Sequence, residues 1–252
     1  NRETEGIVVE RVAAPARAGE LKSITKLLSV VPIATTQSLT LIDSVSAHYA
    51  CNPWDVIRSA IPPRVASVDK SFVSNQRVHS ENSQRSAEFR TLAPYIEAHN
   101  QIVSLVLSNR GAGSVLVIAP DERDVDLIVQ ALSKRESQAL KLTAAMSRED
   151  RYRNFLNAMH GESSVVVGTR SAIFVPINNL TTVIVHTASS HDHYEIRSPG
   201  WNTRTVALMR CKQESLKLVL TGFCPSIEVS DLIDKREVRY LNSKESLNVR
   251  AF

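Results

Sequence analysis

Three histidines and an aspartate crowd the stretch 186–193, directly behind the apolar run Val183-Ile184-Val185. His186 ends the run. Thr187, Ala188, Ser189 and Ser190 follow, and His191-Asp192-His193 close the segment. Imidazole and carboxylate are suitable zinc ligands, so a metal centre is the first chemistry to test. The i, i+4 spacing of a helical zinc motif is missing and no cysteine lies nearby. Solvated loop histidines are the simpler reading, and no metal is expected. Acyl transfer is the second test. Ser189 or Ser190 beside His191 and Asp192 has the residue types of a triad. Triads, however, are assembled from separate segments, and a nucleophile elbow needs glycines around its serine. None is present here.

Nucleotide hydrolysis needs a phosphate-binding loop, G-x-x-x-x-G-K-[ST], whose glycines let backbone N–H groups wrap the phosphates. None of the eight glycines is followed by lysine. No glycine lies between Gly19 and Gly111, and no lysine between Lys70 and Lys134. A G-x-G-x-x-G fingerprint is missing as well. Binding to a nucleic-acid backbone is better supplied. Gly168-Thr169-Arg170-Ser171 offers hydroxyl and guanidinium donors suited to phosphate oxygens. Downstream, Tyr194, Trp201 and Arg204 combine aromatic faces with a cation, as single-strand stacking requires. The same residues admit a plainer account, in which Arg170 caps a helix or pairs with an acid and Trp201 belongs to the core.

The elements that position these groups follow from hydrophobic period. Helices are expected over 36–51, with Thr36 as N-cap, and over 53–60, with Pro53 in its first turn. Two short helices with a tight joint suit a helix-turn-helix or winged-helix unit, or a helical hairpin with no DNA role. The stretch 67–88 is polar and reads as linker, and a helix is expected over 92–108. From Gly111 onward, apolar runs at 115–119, 140–144, 165–167, 183–185 and 218–220 alternate with helical patterns, including 203–211. A short strand is expected at 7–12. Such alternation predicts a mostly parallel sheet wrapped by helices. Its ligands bind beyond the carboxyl ends of the strands. Pro120-Asp121, Gly168-Thr169-Arg170, His186-Thr187 and Thr221-Gly222 then share one rim.

Bulk properties narrow the class. The 252 residues, 43% hydrophobic, suffice for one large core. A formal charge of +4 permits a nucleic-acid partner without demanding one. Cys51, Cys211 and Cys224 lie far apart, which argues for a reducing, cytoplasmic setting. The apolar runs fall far short of the ~20 residues a membrane helix needs, and no signal peptide is visible.

"VVVGTRSAIFVPINNL", "VIV", "PGWNTRTVALMRCK" and "LVLTGFCPSIE" resemble, in order and spacing, the first helicase lobe of the replication-restart PriA (primosomal protein N′) family. That likeness covers 111–230. "SVSAHYACNPWDVIRSAIPPR" resembles the end of the family's winged-helix domain, and "EGIVVERV" the tail of its N-terminal DNA-end-binding domain. The resemblance implies an α/β fold, a RecA-like helicase lobe preceded by a small winged-helix-like domain. It divides the chain into a tail (1–20), a winged-helix-like unit (21–66), a linker (67–90), the lobe (91–240) and an extension (241–252).

The departures from the family pattern are specific. The family's acidic Asp-Glu pair, which coordinates Mg²⁺, falls on His186 and Thr187, with Ala188 and Ser189 completing the replaced motif. Its Ser-Ala-Thr element falls on Gly222, Phe223 and Cys224. "EFRTLAPYIEAHN" stands where the phosphate loop would be. Phosphoryl transfer depends on positioning and charge neutralisation, so no hydrolysis of ATP is expected, as in the degenerate actinobacterial form of the family. The family uses ATP, magnesium and zinc; the resemblance implies none of them in this chain. Its second lobe and zinc-binding cysteines have no counterpart before Phe252. The DNA-facing set, Thr169, Arg170, Ser171, Tyr194, Trp201 and Arg204, is retained. The expected partners are forked or single-stranded DNA and primosome or replisome proteins, with no membrane and a nucleoid location. An ATP-dependent helicase with an unconventional site and a protein scaffold of the primosome are the alternatives.

Overall fold

Valine, isoleucine and leucine run without a polar break through four segments, and each becomes a strand buried on both faces. The computed structural model describes residues 6–9, 12–13, 23–29, 31–72 and 85–242. Its strands are β1 (Ser86–Thr91), β2 (Ser114–Ile118), β3 (Leu140–Leu142), β4 (Val165–Gly168), β5 (Leu180–Val185), β6 (Lys217–Gly222) and β7 (Arg239–Leu241). They form one sheet in the order β3-β4-β2-β5-β6-β1-β7, with every neighbouring pair parallel. Helices α4 (Ala98–Asn109), α5 (Glu122–Ser133), α6 (Arg148–His160), α7 (Thr203–Gln213) and α8 (Ile227–Asp234) alternate with the strands. This is the expected helix-flanked parallel α/β lobe.

Strand side chains alternate between faces, so the sheet divides the core in two. Val115, Val117, Val165, Val167 and Ile184 pack with α4 and α5. Leu116, Ile118, Val166, Val183, Val185, Leu218 and Leu220 pack on the other face with α6 and α7.

That second face also receives α1 (Thr36–His48) and α2 (Pro53–Ala60), through Leu41, Ile42, Val45, Val56 and Ile57. Thr35, one residue before the expected cap, starts α1 through a reciprocal capping box with Ser38. Asn52 caps α2, with Pro53 at its first position. A third helix, α3 (Ala66–Ser71), follows. The two helices expected in a separate unit at 21–66 thus share the lobe's core.

Three expectations need correction. Of the linker expected over 67–90, residues 67–71 lie in α3 and 86–90 in the inner strand β1, and the helix expected from 92 begins at Ala98. Glu88 and Arg90 interrupt the apolar pattern. Yet Glu88 is buried, its carboxylate meeting Arg90 at 2.7 Å, Arg239 at 3.2 Å and Lys217 at 3.7 Å. These cations hold its carboxyl below the usual glutamate range despite the opposing push of burial. Ile7, Val8 and Val9, expected in a strand, have no ladder partner among the described residues. The remainder of the linker, 73–84, and the extension from 243 lie outside the described residues. Among the described residues no helix is long and apolar enough to cross a membrane.

Candidate nucleic-acid interface

The carboxyl ends of β1, β2, β4, β5 and β6 bring the sequence-predicted groups to one rim. The turn from β1 to α4 holds the stretch in which the family resemblance expects a phosphate loop. It is closed from within by Gln101, a residue that sequence reasoning missed. The Gln101 amide donates to the Ala93 and Ile96 carbonyls, at 2.9 Å each, and its oxygen accepts the Ala93 N–H at 2.9 Å. Leu92 is tied to the neighbouring strand by donating to the Gly222 carbonyl at 2.8 Å. Leu92 and Ala93 are buried.

At the end of β5, His186 turns inward and is buried. Its Nδ1 lies 3.5 Å from the Thr221 hydroxyl, and the Thr187 hydroxyl is 3.4 Å from each ring nitrogen. The Asp124 carboxylate approaches Nε2 at 3.7 Å. Burial, reinforced by neighbouring His193, pushes the His186 pKa down to about 4. The imidazole is therefore neutral at pH 7, and its approach to Asp124 is no ion pair there. Burial, with repulsion from Asp121, raises the Asp124 carboxyl above the usual range. His193 is also buried, its Nε2 donating to the His186 carbonyl at 2.8 Å. His191 and Asp192 point to solvent, so the three histidines do not converge.

Thr187 adopts a positive φ of 49°. This bend lets Ala188 donate to the Thr221 carbonyl at 2.7 Å, joining the ends of β5 and β6. Ser189 is exposed. At the end of β6, Gly222 is buried while Phe223 and Cys224 are exposed.

The end of β4 is built differently. A Cβ on Gly168 would fall against the Leu142 carbonyl oxygen and within 2.6 Å of Ala172 Cβ, so only glycine lets the following turn pack on β3. That turn is a 3-10 helix, Arg170–Phe174, preceded by Thr169. All three polar residues, Thr169, Arg170 and Ser171, are part-exposed. Arg170 is paired: its Nε lies 3.3 Å from Glu195 and its Nη1 donates to the Asp192 carbonyl at 3.4 Å. Ser171 accepts from Arg151 at 3.4 Å. Glu195 and Arg151 were both missed, because their partners lie 25 and 20 residues away in sequence.

Downstream, the set expected to face DNA divides. Tyr194 is 37% exposed and beside His191. Trp201, in contrast, is fully buried, edge-on to Phe174 with ring centroids 5.0 Å apart. Its indole belongs to the core cluster on the second face of the sheet, so it presents no face for a base to stack on. Arg204 is buried too. It reaches the Ala188 carbonyl at 3.3 Å, the Ser226 hydroxyl at 3.4 Å and Glu228 at 3.6 Å. It braces the 188–226 region from inside. Exposed surface in this loop comes instead from Tyr194, Ile196 and Arg197.

Comparison with known proteins covers most of the chain. A family model described as the 3′ DNA-binding domain (3′BD) of PriA matches residues 1–62. The chain is 28% identical over 257 residues to the probable replication restart protein PriA of Mycobacterium tuberculosis, covering 92% of this chain and 39% of that protein. It is 24% identical over 246 residues to the replication restart protein PriA of Chlamydia pneumoniae, covering 89% of this chain and 31% of that protein. The chain thus spans about two fifths or less of the length of these relatives. Among solved structures, the C-terminal domain of S. cerevisiae Dbp5 aligns with a TM-score of 0.47 at 13% identity, covering 64% of this chain and 92% of that one. By its family-model match and by its likeness to curated relatives along most of its length, this chain is PriA-like.

Proposed function

We propose that this chain is the DNA-binding portion of a replication-restart protein of PriA type, in which a helicase-fold lobe holds DNA without hydrolysing ATP. The β1–α4 turn carries the second half of this reading. A phosphate loop turns free backbone N–H groups toward its ligand. Here the Ala93 N–H and the Ala93 and Ile96 carbonyls are spent on Gln101, and the turn has neither glycine nor lysine. The β5 end agrees: a buried, neutral imidazole at His186 and a hydroxyl at Thr187 replace two anionic ligands for Mg²⁺. The residues present do not fit Mg-ATP.

The DNA half is supported by the match to a 3′ DNA-binding domain and by the donor-rich turn after Gly168. Among the described residues no group of histidine, cysteine and carboxylate side chains is placed to hold a metal ion. The partners we assign are forked or single-stranded DNA and primosome proteins, in the cytoplasm at the nucleoid. Fluorescence anisotropy with a labelled fork, repeated across a salt series, tests the DNA half. Affinity should fall as salt rises; no binding at low salt refutes it. Calorimetric titration with Mg-ATP tests the other half. No heat of binding is expected, and micromolar affinity refutes it.

A further inference from the structure

Four arginines near the turn after Gly168 have settled partners. Arg64 pairs with Asp69, Arg153 with Glu149 and Asp150, Arg170 with Glu195, and Arg148 donates to the Arg64 carbonyl. Arg151 differs. It stands in the first turn of α6, part-buried, and no carboxylate pairs with it among the described residues. Its one polar side-chain contact there is Nη2 to the Ser171 hydroxyl, at 3.4 Å. Burial alone draws its pKa below the usual arginine value, with no neighbouring acid to restore it.

A guanidinium has five N–H donors, and this one spends a single long bond. Partial burial has removed much of its water without supplying an anion, an arrangement that costs stability until a counter-charge arrives. One hydroxyl, Ser171, stands beside it, and Thr169 carries another at the start of the same turn. The Ser171 oxygen accepts from Arg151 and keeps its own hydrogen to donate. Thr169 caps no backbone group with its side chain. A planar fork flanked by hydroxyl donors suits a phosphodiester, whose two non-bridging oxygens accept in parallel.

We propose that Arg151, with Ser171 beside it, binds a phosphate of a single-stranded DNA backbone, and that Arg170 is a positioning residue which fixes the turn through Glu195. This rests on the DNA-binding reading above and names the contact within it. It also reverses the expectation from sequence, in which Arg170 was the phosphate ligand.

The test uses the whole chain and a labelled single-stranded oligonucleotide, with anisotropy titrations from low to moderate salt. Arg151→Met keeps most of the aliphatic stem and removes the charge. It should weaken binding about tenfold at low salt, the scale of a charge-assisted hydrogen bond. It should also reduce the salt slope by about 0.7, the value for one phosphate on a single strand. Arg151→Lys keeps the charge without the fork; its slope should stay at the wild-type value while affinity falls by less than in Arg151→Met. Arg170→Met should leave the slope at its wild-type value. If the wild-type chain binds with a clear salt slope and Arg151→Met matches it, this assignment is overturned while the DNA-binding reading stands. If Arg170→Met loses the slope instead, the roles are the reverse of those proposed. If the wild-type chain does not bind, both readings fall together.

Discussion

Acidification should destabilise this protein while most of its carboxylates are still ionised, and His186 contributes directly to that loss. Its imidazole is 3% exposed and has a folded pKa of about 4, against 6.5 for the free side chain. Between these values the unfolded chain binds a proton that the folded chain refuses. Stability from His186 is therefore fully present above pH 6.5 and is lost as pH falls toward 4. At about 1.36 kcal/mol per pKa unit, the full loss is about 3 kcal/mol, of which about 2 kcal/mol has gone by pH 5. His193, also depressed by burial, adds to the loss with the same sign. Asp124 opposes it, since its carboxyl is raised in the folded state. Comparing wild type with His186→Gln at each pH largely cancels contributions from other groups. Urea unfolding at pH 8, 6 and 5, followed by the emission of buried Trp201, gives both series. Between pH 8 and pH 5 the variant should lose about 2 kcal/mol less than wild type. Parallel losses in the two proteins would refute the burial argument.

Three further outcomes follow from particular contacts. Gln101→Leu leaves the Ala93 N–H and two carbonyls without their partner, and should cost about 1–3 kcal/mol in urea unfolding without creating Mg-ATP binding. Glu88→Gln removes the charge that three cations share; because those cations are partly exposed, the cost should be about 1–2 kcal/mol, with faster amide exchange in β7. Gly168→Ala drives a methyl against Leu142 and Ala172. It should lower the thermal midpoint and weaken DNA binding together, whereas loss of one without the other would separate the turn from the interface.

The strands were legible where burial is two-sided. β2, β4, β5 and β6 show it as unbroken Val, Ile and Leu, and their order along the chain gave the rim. β1 was not legible, because a buried glutamate reads as surface until the cations around it are placed; Arg239 is 151 residues away from Glu88. Trp201 illustrates a different limit. An aromatic near a cation looks the same in sequence whether it faces a base or fills a core, and only Phe174, far upstream, decides. His186 was placed on the rim by the end of its apolar run, and it stands directly after β5; its neutrality follows from a burial that spacing does not encode. Gln101 carries no sequence signal, since its partners are irregular backbone.

The placement of β1 has a consequence for the making of the chain. The strand first in sequence pairs only with the last two, β6 and β7. The 151 residues from Glu88 to Arg239 take roughly 8–30 s to synthesise at ~5–20 residues per second. Until β6 has been made, Phe89 and the rest of β1 have no neighbouring strand, although α4 can already pack on β2. β2, β4 and β5 can pair early, but the lobe cannot close before the ribosome has delivered β6. This protein is therefore most exposed to aggregation and to chaperones as a nascent chain.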